Sequence, residues 1–98
     1  RLKGVNRWTL TVSHQHMAAL ARGESGPRMD QRVGDGGAAR GIYMWHLPWA
    51  LAWGQRLGYV GDVRDDPVAS ARMTALKASL EGTYRQGWTN CAEMLGLP

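Results

Sequence analysis

Apolar and polar side chains alternate near the start of the chain, which is the pattern of a strand with one buried face. Trp8, Leu10 and Val12 are apolar, and the residues between them are polar. A period of two that includes aromatic and β-branched residues predicts a strand over about 5–12. A strand needs a pairing partner, which we expect from a second strand around 59–63, from an edge on another chain or from a second copy.

The next pattern predicts a short helix over residues 13–22. Ser13 is a suitable N-cap, because its hydroxyl can accept a hydrogen bond from a free amide of the first turn. Met17 and Leu20 then fall on one apolar side of this helix. Gly23 follows, and glycine readily adopts the left-handed conformation that ends many helices. We therefore expect the helix to end just before Gly23.

Residues 42–60 are mainly apolar and predict a Trp-rich helix over about 48–57. Pro48 suits the first turn of a helix, and Gly58 suits its end. Three tryptophans fall at a spacing of four in this part of the chain: Trp45, Trp49 and Trp53. A helix that includes Trp45 would place the three indoles in one continuous stripe. Because other faces of this helix are apolar as well, we expect something to bury it.

A third helical pattern begins at Pro67. Asp65 and Asp66 precede this proline, and a capping carboxylate followed by proline in the first turn is a strong helix start. Apolar residues then recur at steps of three or four: Ala69, Met73, Leu76, Leu80, Tyr84, Trp88, Cys91 and Leu95. The pattern predicts a long C-terminal helix over about 67–86. Beyond it, either the helix continues to residue 95 or a break near Gly87 precedes a short final helix.

Together these elements predict an α+β fold that is mainly α, built as one small domain over residues 1–98. The 98 residues of the chain suffice for one core, since domains usually contain roughly 100–150 residues. Residues 23–41 contain six glycines, one proline and scattered charges without an apolar period. We expect this segment to form a Gly/Arg-rich loop or an extended arm.

The positive charge of the chain is concentrated in its first forty residues. The net charge is +4, and residues 1–40 contain seven basic and three acidic side chains, whereas residues 41–98 are balanced. The basic half suits contact with phosphates, acidic lipids or an acidic protein surface, and a solvated surface is the alternative interpretation. The candidate contacts with phosphate or an acidic partner are Arg28, Arg32 and Arg40.

The sequence contains no recognisable catalytic, metal or cofactor motif. Residues 34–39 match the spacing of a dinucleotide fingerprint, but the segment before them is too polar for a buried parallel strand. The histidines lack further ligands at suitable spacing, and Cys91 on an apolar stripe is typical of a structural thiol. We therefore predict a protein that is not an enzyme, with no cofactor, no metal and no small-molecule substrate.

The cysteine content and the lack of a visible secretory signal bear on the cellular compartment. The single cysteine, Cys91, excludes an internal disulfide, and no secretory signal is visible. We expect an intracellular, reducing compartment.

The tryptophans allow two interpretations: they fill the core, or they form a face that a partner covers. Trp and Arg are enriched where protein partners dock. The residues predicted to contact a partner are Trp45, Trp49, Trp53, Tyr84 and Trp88. On this basis the chain is a small binding protein, an accessory subunit or inhibitor that docks on a larger protein or ribonucleoprotein assembly. The alternatives are a basic nucleic-acid-binding protein and a membrane-adjacent subunit of a membrane complex that contacts the membrane surface.

Overall fold

Four helices and a small antiparallel sheet make up the part of the chain that the computed structural model describes, residues 11–98. The helices are α1 (His14–Ser25), α2 (Leu47–Arg56), α3 (Pro67–Glu81) and α4 (Thr89–Leu95), and the strands are β1 (Val33–Gly34), β2 (Ala39–Arg40) and β3 (Trp45–His46). The predicted class, mainly α with a short strand region, is confirmed. The strand predicted over 5–12 lies outside the described residues, except for Thr11 and Val12, which belong to no regular element.

Helix α1 begins where its cap predicts and ends later than expected. The Ser13 hydroxyl accepts a hydrogen bond from the His16 amide at 3.1 Å, which confirms Ser13 as the N-cap. Gly23 lies inside the helix, which ends only before Gly26, where φ is 92°. A Cβ on Gly23 would lie 2.2 Å from the Cys91 Sγ. The missing side chain therefore permits close packing of α1 against α4, and the prediction that Gly23 ends the helix is wrong.

The segment expected to be a loop or arm, residues 23–41, contains the end of α1 and two of the three strands. Strand β2 lies in the middle of the sheet, with Arg40 opposite Val33 of β1 and opposite Trp45 of β3. A 3-10 turn over Asp35–Gly37 joins β1 to β2. Because each strand has only two residues, no period of two in the sequence could have indicated them.

The strand predicted around residues 59–63 does not form, although the structure describes all of these residues. Gly58 and Gly61 have positive φ angles of 85° and 78°, which interrupt any extended backbone between them. Val60 is 93% exposed, so the apolar residues of this segment do not share a buried face. The amide of Tyr59 donates instead to the last turn of α2 at 3.0 Å. The prediction of a strand here is wrong.

Helices α2 and α3 begin with the proline and cap signals present in their sequences. Pro48 lies in the first turn of α2. The Asp66 carboxylate accepts hydrogen bonds from the amides of Val68 and Ala69 at 2.9 and 3.2 Å. These bonds satisfy amides that have no partner within the helix. Asp66 is thereby confirmed as the N-cap of α3.

Helix α3 ends at Glu81, before the predicted position. Gly82 adopts the left-handed conformation (φ 74°, ψ 14°), and its amide donates to the Ala78 carbonyl at 2.9 Å. Such a glycine satisfies a carbonyl that the helix end would leave unpaired. Residues 83–88 turn the chain, and α4 forms a separate short helix. The break left open by the sequence therefore exists and includes Gly87, but it begins earlier, at Gly82.

Buried aromatic side chains form the centre of the core. The rings of Trp45 and Trp88 meet edge to face, with centroids 5.5 Å apart and an angle of 81°. Trp45 Nε1 donates to Thr74 Oγ1 at 2.9 Å, and Trp88 Nε1 donates to the Tyr43 carbonyl at 2.8 Å. The Tyr43 hydroxyl donates to the Met17 carbonyl at 3.0 Å. Buried polar groups cost free energy unless they are hydrogen-bonded, so these bonds allow the aromatic residues to occupy the interior.

Arg64 connects the sheet to the segment before α3. Its buried guanidinium donates to the Asp62 carboxylate at 2.9 and 3.0 Å, and to the carbonyls of Ala38 and Trp45 at 3.2 and 3.1 Å. The hydrogen bonds from Arg64 lower the pKa of Asp62 below its usual value, against a smaller raising effect of burial. Arg64 thereby fixes the backbone of β3 immediately before α2 begins.

Candidate functional site

The three tryptophans at a spacing of four lie in two different elements. Helix α2 begins at Leu47, so Trp45 belongs to β3 and the condition for a continuous stripe is not met. Trp45 is 3% exposed, whereas Trp49 is 64% exposed. Trp53 is half-buried against the core. The structure thus separates one core indole from two that retain surface on α2.

Tyr84 and Trp88, also predicted to contact a partner, are buried in the turn between α3 and α4. Tyr84 is 0% exposed and Trp88 is 6% exposed. Trp49 and Trp53 are therefore the two predicted aromatic contacts with substantial surface in this conformation. The other three form part of the core behind them.

An open groove with a volume of about 520 Å³ lies beside α2, and we call it the aromatic groove. Its apolar part is formed by Met44, Trp45, Trp49, Trp53 and Trp88, and its polar part by His46, Lys77, Glu81 and Gln86. A volume of this size lies within the range of about 300–1,000 Å³ that is typical of ligand sites. Trp49 has the largest exposed fraction among the indoles of the groove.

Two cationic side chains lie over the ring of Trp53. The Arg56 guanidinium carbon is 4.5 Å and the Lys77 Nζ is 5.4 Å from the ring centroid. Lys77 also pairs with Glu81, one helical turn further along α3. Cation–π contacts of this kind are worth about 0.5–1 kcal/mol at exposed sites. Of these two cations, Lys77 lines the groove and Arg56 does not.

Glu81 provides an acceptor that is not fully used. Its Oε2 accepts a hydrogen bond from Lys77 Nζ. Its Oε1 is buried and has no hydrogen-bond partner within the described residues. Leaving a buried acceptor without a partner costs about 1–3 kcal/mol.

The arginines predicted to contact phosphate or an acidic partner are exposed, and none of them lines the aromatic groove. Arg40 forms an ion pair with Asp65 at 2.9 Å. Arg32 donates from Nε to the Met29 carbonyl at 2.9 Å. Arg28 lies in the turn after α1. These contacts hold Arg32 and Arg40 close to the domain surface.

A polar pocket of about 510 Å³ adjoins the aromatic groove, and the two share Met44, His46, Gly87 and Trp88. Glu24, Asp35 and Cys91 contribute to its remaining wall. The His46 Nε2 lies 2.9 Å from the Asp35 Oδ2. Burial raises the pKa of Glu24, the nearby Asp35 charge raises it further, and a hydrogen bond with Cys91 has a smaller lowering effect.

Cys91 in this pocket is suited to a structural role rather than to covalent chemistry. Burial raises the pKa of its thiol, and the neighbouring Glu24 raises it further. The thiolate is the nucleophilic form of cysteine, so this thiol has little nucleophilic character at neutral pH. Within residues 11–98, no group of three or more His, Cys, Asp or Glu side chains could hold a metal ion.

Comparisons with protein-family models, with curated proteins and with solved structures each found no match. Among the helices of residues 11–98, none has both the length and the apolar character needed to cross a membrane.

The polar half of the aromatic groove was missed at the sequence level. Lys77 and Glu81 lie four residues apart, and Arg56, which contacts Trp53 without lining the groove, follows Trp53 by three. Both spacings are those of neighbours on a helix surface, so each pair could have been found. What the sequence did not indicate was that the break at Gly82 would bring Gln86 to the same groove.

Proposed function

We propose that this chain is a small non-enzymatic binding protein, an accessory subunit or inhibitor, that docks on a larger assembly through the aromatic groove. The observation that carries this proposal is the exposure of Trp49, which is 64% exposed beside two indoles that are almost completely buried. Tryptophan is enriched among residues whose truncation costs an interface at least about 2 kcal/mol. An exposed indole at the edge of a concave surface is suited to that role.

The composition around Trp49 supports the same proposal. The centres of interfaces combine aromatic side chains and Met with few charges, and their rims are polar. The aromatic groove contains Met44 and four indoles, with Gln86 and one ion pair beside them. The exposed Arg28, Arg32 and Arg40 would add electrostatic attraction for an acidic or phosphate-bearing surface, as in steered association.

Helix α2 also offers a control for this assignment. Leu51 is 42% exposed and does not line the groove. Residues two positions apart on a helix do not face the same side, so Leu51 and Trp49 lie on different flanks of α2. Replacing Leu51 removes exposed apolar surface from the same helix without touching the groove.

The test first identifies the molecule that contacts the groove and then measures how much Trp49 contributes to the affinity for it. A photo-crosslinking amino acid is placed at Gln86 in the groove and, in a second variant, at Val60, which is 93% exposed and does not line the groove. Both variants are irradiated in the cells that produce the protein. We expect a covalent product with one molecule from position 86 that is absent from position 60.

The crosslinked molecule is then purified and titrated against the unmodified protein by calorimetry. We expect Trp49→Ala to weaken its binding at least about fivefold, the equivalent of about 1 kcal/mol, and Leu51→Ala to change it less than about twofold. Equal affinities for a folded Trp49→Ala variant and the original chain would contradict the proposal. So would identical crosslinked products from positions 86 and 60.

A further inference from the structure

We propose that the partner docks with a peptide segment in which a lysine or arginine lies near a large apolar side chain. The apolar side chain contacts Trp49 in the aromatic groove, and the cation enters the adjoining polar pocket beside Glu24 and Asp35. This inference rests on the proposed function and names the chemistry of the partner. Two observations carry it: the continuity of the two cavities and the sign of the charge in the polar pocket.

The aromatic groove and the polar pocket form one continuous surface. They share Met44, His46, Gly87 and Trp88, and their volumes are about 520 and 510 Å³. Each has room for a side chain, since cavities of about 300–1,000 Å³ hold whole ligands. In an extended peptide, the side chains on one face follow each other at about 7 Å. Neighbouring side chains of one segment can therefore fill the groove and the pocket together.

The charged wall of the polar pocket is acidic. Glu24 and Asp35 line it, and no Lys or Arg among the described residues does. The Asp35 side chain is 69% exposed, and its contact with His46 engages one of its two oxygens. Glu24 is half-buried and has no Lys or Arg partner within residues 11–98. A cation that enters from solvent thus meets two carboxylates without displacing an internal lysine or arginine.

Glu24 gains more from an external cation than an exposed carboxylate would. Burial raises its pKa, and the negative charge of Asp35 raises it further, so the ionised form is disfavoured in the free protein. A cation in the pocket offsets the repulsion between the two carboxylates and replaces part of the lost hydration. An acidic side chain would add a third negative charge. The electrostatics of the pocket therefore favour a cation.

The aromatic groove favours the apolar part of the segment. Trp49 is 64% exposed there, and the charges of Lys77 and Glu81 compensate each other in an ion pair. The three arginines predicted to contact phosphate or an acidic partner line neither cavity, so they lie outside the contact proposed here. An apolar side chain is thus the complement of the groove, and a basic side chain is the complement of the pocket.

The test selects random dodecapeptides, displayed on phage, for binding to the immobilised full chain. We expect the selected peptides to contain Lys or Arg close in sequence to a large apolar side chain more often than the unselected library does. Non-specific attraction predicts the opposite, because a chain with a net charge of +4 attracts acidic peptides at long range. The selected peptides are then synthesised and titrated by fluorescence anisotropy against the full chain and its variants.

Substitutions that line the two cavities should weaken peptide binding, and matched substitutions outside them should not. We expect Glu24→Gln to weaken it at least about fivefold. Asp35→Asn should weaken it about two- to fivefold, because this carboxylate is more exposed, and asparagine tolerates the positive φ of 50° there. Glu93→Gln makes the same charge change outside both cavities and should match the original chain. Trp49→Ala should weaken binding at least about fivefold, and Leu51→Ala should leave it unchanged.

Four results would overturn the proposal. The selection yields no binding peptides or peptides without Lys and Arg; Glu24→Gln and Glu93→Gln weaken binding equally; free arginine amide binds as tightly as the peptides, which would assign the pocket to a small organic cation; or Trp8→Ala raises the affinity for the peptides, which would assign the surface to the chain's own first ten residues. Circular dichroism and thermal melting confirm that each variant is folded.

This inference and the proposed function fail on different results. If the peptides require Trp49 but not Glu24, this inference is wrong and the proposed function stands. If they require Glu24 but not Trp49, the contact is confined to the polar pocket and this inference is again wrong. If neither the peptides nor the molecule crosslinked at position 86 requires Trp49, both are wrong.

Discussion

Two pairs of tryptophans in this small domain have opposite surroundings. Trp45 and Trp88 are almost completely buried, meet edge to face, and each donates its indole N–H to an acceptor inside the protein. Trp49 is largely exposed, and Trp53 is half-buried beneath two cations. The difference shows that residue type alone does not assign a tryptophan to core or surface. The backbone and the acceptors within reach of the indole nitrogen decide it.

The largest effect that this comparison predicts is on stability. Trp45→Ala should lower the free energy of unfolding by about 3–5 kcal/mol, because it opens a cavity and removes the hydrogen bond to Thr74. Trp49→Ala should change it by less than about 0.5 kcal/mol, since its side chain is mostly in water. Urea denaturation followed by circular dichroism measures both. Similar losses for the two variants would contradict the division into core and surface indoles.

A smaller effect tests how the buried pair is held in place. Asp62→Ala removes the carboxylate that pairs with Arg64, which in turn donates to the Trp45 carbonyl. We expect a loss of about 1–3 kcal/mol at pH 7, the usual cost of leaving a buried hydrogen-bonding group without its partner. The Asp62 side chain is 42% exposed, which favours the lower end of this range.

The pH dependence of this variant has a defined sign. Hydrogen bonds from Arg64 lower the pKa of Asp62 in the folded protein. The stabilisation is therefore complete above the pKa of the unfolded chain, about 3.9, and is lost as the pH falls through the lower folded value. The difference between Asp62→Ala and the original chain should be constant from pH 7 to about 5 and shrink below about 4. A difference that is independent of pH would exclude the ion pair as its cause.

The smallest predicted effect is a change in melting temperature on replacing Glu24, which lines the polar pocket beside the aromatic groove. Burial and the Asp35 charge raise the pKa of Glu24, so its ionised form opposes folding. Protonated Glu24 stabilises the folded protein fully at pH values below the pKa of the unfolded chain, about 4.3. This stabilisation is lost as the pH rises through the higher pKa of Glu24 in the folded protein. Glu24→Gln should therefore raise the melting temperature at pH 7.

The same substitution should have no stabilising effect near pH 3.5, because Glu24 is then protonated in both states. Thermal melting at the two pH values measures this. Glu93 is an exposed glutamate that does not line the pocket, and Glu93→Gln is the matched control. An equal gain from both substitutions would indicate a general effect of net charge rather than the environment of Glu24.

Local signals in the sequence predicted the helix starts well. Ser13, Pro48 and Asp66 each act within one turn of helix, so their identity and immediate neighbours suffice. The prediction failed where a residue served a distant contact. Gly23 has the residue type of a helix end, but its missing side chain accommodates Cys91, which is far away in the sequence.

The candidate site was predicted only in part, for a related reason. The exposure of Trp49 depends on where α2 begins, and the burial of Trp45 depends on its hydrogen bond to Thr74 on α3. The groove depends further on the turn at Gly82, which was expected one turn or more later. Tryptophan content therefore indicated a candidate surface, while the assignment of each indole to core or surface required tertiary contacts that a sequence pattern does not contain.

The hydrogen bond between Trp88 and Tyr43 also has a consequence for folding during synthesis. It joins residues separated by 45 positions, and Tyr43 is itself bonded to Met17 across 26 positions. During synthesis, when a chain grows at about 5–20 residues per second, α1 and α2 can emerge without the indole that completes their core. The domain therefore acquires its native interior only after position 88 has left the ribosome. Until then, Trp45 lacks the indole that packs against it edge to face.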